Sequence, residues 1–208
     1  MNRLLLLCAL SFILQVTGAS AASAAVAAED PESVVLAENR FTRLTLADYN
    51  AELQRLPDNL RFDFATSPKR IATLLNNVLL RKSLAAQARS YGIEPAPSAQ
   101  PQTPPEADQA LALLYIQRIE NDAGAGFDAK ADQFAARARE LYLLDRNKYQ
   151  PRTFDEAKPE ILKEIRTKHI NDVRDAKLSA IGNDPSTKVN QPAIDALVHR
   201  PTAVAPPR

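Results

Sequence analysis

The most informative hydrophobic pattern in the chain lies between Ser67 and Gly92. Ser67 followed by Pro68 is a typical helix start, and Gly92 is a typical helix-ending glycine. The apolar residues of this predicted helix form two stripes, which are Ile71, Leu74, Leu75, Val78 and Leu79 on one side and Leu80, Leu84, Ala88 and Tyr91 on the other. Two stripes require burial on two sides, so we expect this helix to be the central one.

Capping patterns mark the start of two more helices. Thr45 with Asp48 three residues later predicts a short helix that Pro57 closes. Thr153 with Glu156 predicts the start of a long helix that continues to Ile181 and stops at Gly182. Its apolar stripe consists of Ala157, Ile161, Ile165, His169, Val173, Ala176 and Ala180.

The remaining pattern predicts two further helices and little β-structure. Residues 106–121 and 129–146 are helical by periodicity, with Gly124 and Gly126 expected to break the chain between them. Pro159 lies past the first turn of the last helix, so we expect it to kink that helix or mark its true start. Residues 34–44 predict one or two short strands, and Val189 a further one. The predicted fold is mainly α, with a long central helix embraced by a C-terminal helix and at most a short β hairpin.

Three segments are expected to lie outside the packed module. Residues 1–24 have the order of a secretory signal: Arg3, an apolar run, and small residues suited to cleavage somewhere within 21–28. Residues 94–105 contain five prolines and predict an extended linker. Residues 198–208 predict a disordered tail. A single helical module over 30–197, exported from the cytoplasm, is therefore expected.

Composition narrows the class of partner. The chain has 26 Lys and Arg against 25 Asp and Glu, and loss of Arg3 with the signal makes it formally neutral. Neutrality argues against a nucleic-acid partner, which normally requires a basic face. The single cysteine, Cys8, lies in the predicted signal, so no disulfide is expected. No later segment approaches the ~20 apolar residues that span a bilayer, which argues against stable membrane insertion.

Candidate catalytic groups are few. His169 falls on an apolar helix stripe, where a packed histidine is expected, and His199 falls in the predicted tail, where a solvated one is expected. Acidic residues of the last helix alternate with Lys and Arg at helical offsets, which is typical of a solvent-exposed face. No phosphate-binding loop and no metal-ligand spacing is present in the sequence. We therefore predict no catalytic, cofactor-binding or metal-binding residues.

Several segments together carry a resemblance to a known family. They are T-L-A-D-Y from Thr45, R-L-P at 55–57, S-P-x-R-I from Ser67, A-R-x-L-Y at Ala138–Tyr142, T-F-D-E-A-K-P at Thr153–Pro159, and V-N-x-x-A-I-x-x-L at Val189–Leu197. This order resembles the SurA-like, PpiC-type periplasmic peptidyl-prolyl isomerases over nearly the whole mature chain. One departure is Glu38-Asn39-Arg40, where the family usually has V-N-G before the first helix.

The resemblance implies a chaperone module without its enzyme. The family carries a catalytic parvulin domain between its A-R-E-L-Y segment and its T-F-D-E-x-K-P segment. Here only residues 150–152 separate Tyr149 from Thr153. The isomerase domain is therefore expected to be absent. The resemblance further implies a location in the periplasm of a Gram-negative bacterium and an apolar cradle that holds unfolded or extended outer-membrane or periplasmic polypeptides without ATP.

Three alternatives stay open from the sequence. The helical scaffold could serve as an adaptor for one dedicated folded partner, because chaperones and adaptors both need an exposed apolar surface. The same surface could form a homodimer. Residual prolyl isomerase activity is a third alternative, and it is the least favoured because the catalytic groups of the family have no counterparts.

Overall fold

A computed structural model describes residues 31–95, 101 and 103–199 of the chain. The predicted signal peptide, most of the proline-rich linker and residues 200–208 of the predicted tail lie outside the described residues. The described part is mainly α-helical, as predicted, and contains eight α-helices and one small sheet.

The elements follow one another along the chain with short connections. After a 3₁₀ turn at Pro31–Ser33, the strands and helices are β1 (Val35–Glu38), β2 (Arg43–Thr45), α1 (Leu46–Arg55), α2 (Asp58–Thr66), α3 (Pro68–Ser90), α4 (Pro104–Asp128), α5 (Ala131–Leu144), α6 (Arg146–Tyr149), α7 (Phe154–Gly182), β3 (Lys188–Val189) and α8 (Gln191–Val198). The helices predicted from Thr45, Ser67 and Thr153 are confirmed as α1, α3 and α7.

Helix α3 is buried on two sides, as its two stripes predict. Its first half packs into a core with the sheet, α1, α2 and α8, and its second half packs into another core with α4 and the end of α7. Tyr91, which the second stripe included, is instead 53% exposed at the C-cap. The ring contacts Tyr115 and Arg118 of α4, which cover it only in part.

The cover of α3 comes from more than one helix. Helix α4 makes the most extensive contact with α3, whereas α7 contacts mainly α4 and α5 and reaches α3 only through its last turns. At that point Leu80 Cδ1 lies 3.7 Å from where a Cβ on Gly182 would stand. The expected embrace by the C-terminal helix is therefore confined to the end of α7, and α4 supplies the rest.

The expected break at Gly124 and Gly126 is wrong. Helix α4 continues through both glycines to Asp128. A glycine costs a helix only about 1 kcal/mol relative to alanine, which packing can outweigh. Gly124 is buried, and the guanidinium of Arg166 lies 2.7 Å from where its Cβ would be. The missing side chain thus lets α7 approach α4 closely.

The linker expected over 94–105 is wrong at its end. Pro104 and Pro105 form the first turn of α4, where a missing N–H costs no hydrogen bond. Thr103 caps that turn, and its backbone N–H donates to Glu106 Oε2 at 3.1 Å. Proline density alone indicated an extended segment, but the capping pair decides where the helix starts.

Pro159 does not mark the start of α7. The helix begins at Phe154 and carries Pro159 inside it. The ring removes the hydrogen bond that would reach the carbonyl of Asp155, but both residues are exposed, so water can satisfy that carbonyl. Of the predicted stripe, Ala157 and Ile161 are buried, whereas Ala176 and Ala180 are exposed.

The sheet has three strands rather than the two of a hairpin. Its order is β2-β1-β3, with both neighbours antiparallel to β1. The predicted hairpin is the β1–β2 pair, and the strand predicted near Val189 joins the other side of β1. The sheet therefore ties the beginning of the described chain to its end.

The third core is formed by the helices at the opposite end of the molecule. It contains Ala138, Tyr142, Tyr149, Ala157 and Ile161, all from α5, α6 and α7. The hydroxyl of Tyr142 donates to the carbonyl of Arg152 at 2.8 Å and closes the turn between α6 and α7.

Candidate peptide-binding groove at the sheet edge

A cavity of about 280 Å³ lies between β3, the first half of α3, and α8. We call it the edge groove. Most of its wall is apolar, and Gln191, Asp195, Thr187 and Asn76 supply polar groups at its rim. The apolar lining residues are Ala37, Pro68, Ala72, Leu75, Leu79, Val189, Ile194 and Val198.

The outer edge of β3 offers backbone groups for hydrogen bonding. The N–H of Asn190 donates to the carbonyl of Leu36 at 2.9 Å, so these two residues form a hydrogen-bonded pair of the ladder. Such pairs alternate with non-hydrogen-bonded pairs in antiparallel sheets, so Val189 opposite Ala37 is of the second kind. The N–H and C=O of Val189 therefore point away from β1, towards an edge of the sheet that pairs with no further strand within the described residues.

The side chain of Val189 is also open to solvent. It is 55% exposed, which is unusual for a β-branched residue in a sheet, and it forms part of the groove wall. An exposed edge strand that borders an apolar groove can pair with another extended chain. Both kinds of contact that an extended peptide makes, through main chain and side chain, are present together here.

Asn190 holds β3 against the rest of the sheet. Its side-chain amide donates to the carbonyl of Val35 at 3.0 Å, and its side-chain oxygen accepts from the N–H of Ala193 at 3.3 Å. One residue therefore joins β3 to β1 and caps α8. The strand edge and the helix that together border the groove are fixed relative to each other.

A buried carboxylate holds the loop that precedes β3. Asp184 is 4% exposed, accepts from the N–H of Ser186 at 2.8 Å, and lies 2.7 Å from Nε of Arg40. The backbone N–H of Ser186 and the nearby Arg40 guanidinium lower the pKa of Asp184. The backbone N–H of Arg40 also donates to the Ser186 hydroxyl at 3.0 Å. The β1–β2 turn thus holds the loop that leads into β3 in place.

A second, more polar cavity of about 490 Å³ continues from the edge groove. The two share Asn76, Leu79 and Thr187 in their walls. The hydroxyl of Thr187 is buried and has no hydrogen-bond partner in the described part of the chain. Asn76 and Asn77 are exposed on α3. Amide and hydroxyl groups along this path can bind peptide main-chain groups beyond the edge groove.

The two histidines lie apart from this groove. His169 is half-buried on α7, with its ring centroid 5.4 Å from that of Phe134 and 5.9 Å from that of Phe127. It is a packed residue, as its place on an apolar stripe predicts. His199 is exposed just after α8. Across 31–95 and 103–199, no three or more His, Cys, Asp or Glu side chains come together as a metal site would require.

Sequence reasoning named no residue of the edge groove as functional. Leu75 and Leu79 were predicted as core, and they do face the core while also forming the groove floor. The sequence predicts a strand near Val189, but nothing in it indicates that this strand lies beside α3. The one local signal in the sequence is Val189, an apolar residue within a polar segment.

No helix within the described ranges combines the length and the apolar character needed to cross a bilayer. Comparisons with protein-family models, with curated proteins and with solved structures find no match to this chain.

Proposed function

We propose that this protein is an ATP-independent, chaperone-like protein of the periplasm that binds unfolded or extended polypeptides in the edge groove. The observation that carries the proposal is the free edge of β3 beside an apolar wall. Outer-membrane or other periplasmic proteins in transit are the proposed clients. The resemblance to SurA-like isomerases and the signal-like residues 1–24 support the location and the client class.

An extended peptide would bind here by adding a strand to the sheet. Its main chain would pair with the N–H and C=O of Val189, and every second side chain would point into the edge groove. Main-chain pairing is available to any sequence without proline at that position, and the apolar wall favours aliphatic side chains. The proposed selectivity is therefore for extended, apolar segments rather than for one sequence.

The small size of the edge favours weak and reversible binding. Strand β3 has two residues, so few main-chain bonds can form at once. Lys188 is exposed on the same strand, and charged residues on edge strands limit uncontrolled pairing with other chains. Release of a client then needs no nucleotide, because each contact is individually weak.

The α5–α7 region supports a binding role without isomerase chemistry. Tyr142 and Tyr149 stack at 5.8 Å, and the turn between α6 and α7 occupies the place where the resembled family carries its catalytic domain. This short connection supports the proposal that the chain binds clients without isomerising them.

Two variants test the edge groove directly. Ala72→Phe places a large side chain in the groove from an exposed position of α3, and we expect it to abolish suppression of aggregation of an unfolded outer-membrane protein. Val189→Pro removes only the outward N–H and leaves the ladder to β1 intact, which edge strands tolerate. We expect it to weaken binding of a labelled extended peptide about fivefold in fluorescence anisotropy, because one main-chain hydrogen bond is lost.

Ala176→Phe is the matched control, because Ala176 is an exposed helix alanine on α7 outside the groove. It should behave as the wild type, and circular dichroism should show all three variants folded. The proposal fails if wild-type protein in stoichiometric excess leaves aggregation unchanged, or if Ala72→Phe and Ala176→Phe act alike. Stable binding of one folded partner, unaffected by Ala72→Phe, would indicate an adaptor instead.

A further inference from the structure

A separate cavity of about 290 Å³ lies near the other end of α3, between that end, α4 and α7. We call it the tyrosine pocket. The rings of Tyr91 and Tyr115 stack at 5.8 Å, and the guanidinium of Arg118 lies 4.5 Å from the centre of the Tyr91 ring. Tyr91 is 53% exposed, so part of this aromatic pair is open to solvent.

The charges around the tyrosine pocket favour an anion. Arg118 and Lys177 both line it, and Asp122 is the one carboxylate among its lining residues. Arg118 reaches Asp122 only at 3.6 Å, with both side chains exposed, so this pair is weak. Lys177 has no hydrogen bond or ion pair within the described part of the chain. Its ammonium group is therefore available to a bound carboxylate.

The floor of the tyrosine pocket is apolar. Ile119 and Ala123 from α4 are buried there, and Val173 from α7 is half-buried beside them. The volume is at the lower limit of small-molecule sites, which occupy roughly 300–1,000 Å³. The volume therefore fits one small apolar group rather than a cofactor. The cationic side chains favour a group that also carries a negative charge.

We propose that the tyrosine pocket binds the C-terminal end of a polypeptide whose last residue is apolar. The terminal carboxylate lies against Lys177 and Arg118, and the last side chain lies on Ile119 and Val173. The amide N–H of that residue donates to Asp122. A simple alkyl acid has no such donor and would leave Asp122 facing a like charge.

This inference rests on the proposed function only in taking a polypeptide as the ligand. The two sites share no lining residue, because the edge groove uses the first half of α3 and the tyrosine pocket uses its C-cap. A small probe that carries only the last residue can therefore test the tyrosine pocket without engaging strand addition at β3.

The test is an NMR titration of the mature protein with N-acetyl-leucine and, in parallel, with N-acetyl-leucinamide. We expect the acid to bind about tenfold more tightly than the neutral amide, because a hydrogen bond to a charged group is lost with the amide. Shifts should be centred on Tyr91, Tyr115 and Val173. Lys177→Gln should reduce the affinity for the acid severalfold and leave that for the amide unchanged.

Lys163→Gln is the matched control, since Lys163 is exposed on the same helix, about 21 Å away at 1.5 Å per residue. It should leave both affinities as in the wild type. Equal affinity for acid and amide, no binding of either probe, or an equal effect of Lys177→Gln and Lys163→Gln would overturn the proposal. Ala72→Phe should not alter binding of the acid, so a failure of the edge groove is distinguishable from a failure of the tyrosine pocket.

Discussion

The sheet end and the α5–α7 end of the molecule bury side chains in different ways. At the sheet end, Leu36, Ile71 and Leu197 share one core although they lie far apart in sequence. At the other end, Ala138, Tyr142 and Ile161 form a small core from one continuous stretch of chain. A core built from distant segments depends on the whole fold, whereas a local one can open by itself. The edge groove lies beside the core that is built from distant segments.

The difference also shows in exposure. Leu143 and Leu144 at the end of α5 are 63% and 77% exposed, while the largest fully buried side chains cluster mainly at the sheet end. Binding sites are more precise on elements held by a packed core than on elements that open locally. The comparison therefore favours a rigid groove at the sheet end and a more easily opened helical hairpin opposite it.

The largest expected effect tests this comparison with one substitution in each region. Ile71 and Ile161 are both 0% exposed, so Ile71→Ala and Ile161→Ala remove the same atoms from the two cores. We expect Ile71→Ala to lower the free energy of unfolding by about 4 kcal/mol and Ile161→Ala by about 2 kcal/mol, because a small core can collapse around the cavity. Urea denaturation measures both values.

Hydrogen exchange on the same two variants separates global from local opening. Ile161→Ala should speed exchange in α5 and the first half of α7 and leave α3 protected. Ile71→Ala should speed exchange throughout the described helices. Uniform acceleration in both variants would show that the two ends unfold as one unit and would contradict the comparison.

A second prediction uses pH to weaken the sheet end selectively. Burial raises the pKa of Tyr49 to about 12, whereas the unfolded chain ionises this phenol near 10.0. The folded protein therefore holds more protons between these values, and its stability is complete below pH 10 and falls as pH rises towards 12. A difference of that size corresponds to about 3 kcal/mol.

Tyr49→Phe should remove most of this alkaline loss, as followed by urea denaturation at several pH values. At neutral pH it should cost about 1 kcal/mol, because the Tyr49 hydroxyl donates to the carbonyl of Phe64 at 2.8 Å. Tyr142→Phe at the other end serves as the comparison, since the Tyr142 hydroxyl also donates to a backbone carbonyl. An equal alkaline response in the two variants would argue against a special role for Tyr49.

The smallest expected effect comes from two glycines of α4, the helix that contacts both α3 and α7. Alanine substitutions at these glycines compare an open position with a packed one. Gly126 is exposed, and a Cβ there would meet nothing within 4 Å. Gly126→Ala should therefore raise stability by about 1 kcal/mol, the helix-propensity difference between the two residues. Gly124→Ala should gain less, because Arg166 must move aside and its contacts with Asp128 at 3.3 Å would lengthen. Thermal unfolding of both variants measures the difference.

Local signals in the sequence were sufficient for the main helices. The capping pairs at Thr45 and Thr153 and the two stripes of α3 are determined by neighbouring residues, so the corresponding helices could be predicted. The break expected at Gly124 failed because packing against Arg166 outweighs a small propensity cost. Helix α2 was missed because Ala65 is its one buried residue, so no apolar stripe announces it.

The edge groove could not be predicted for a different reason. It brings together Ala72, Val189 and Val198, and the pairing of Ala37 with Val189 that positions β3 joins opposite ends of the described chain. No periodicity within a window carries such long-range pairing. Residues such as Leu75 serve both core and groove, so an apolar stripe alone cannot separate packing from binding.

The length of helix α3 sets the distance between the edge groove and the tyrosine pocket. From Ala72 at the edge groove to Tyr91 at the tyrosine pocket there are nineteen residues, or about 29 Å of helix axis at 1.5 Å per residue. An extended chain covers that distance with about nine residues at 3.3 Å each. If both proposals hold, a polypeptide with its C-terminus in the tyrosine pocket needs a tail of at least this length to reach the edge groove, and shorter peptides occupy only one of the two sites at a time.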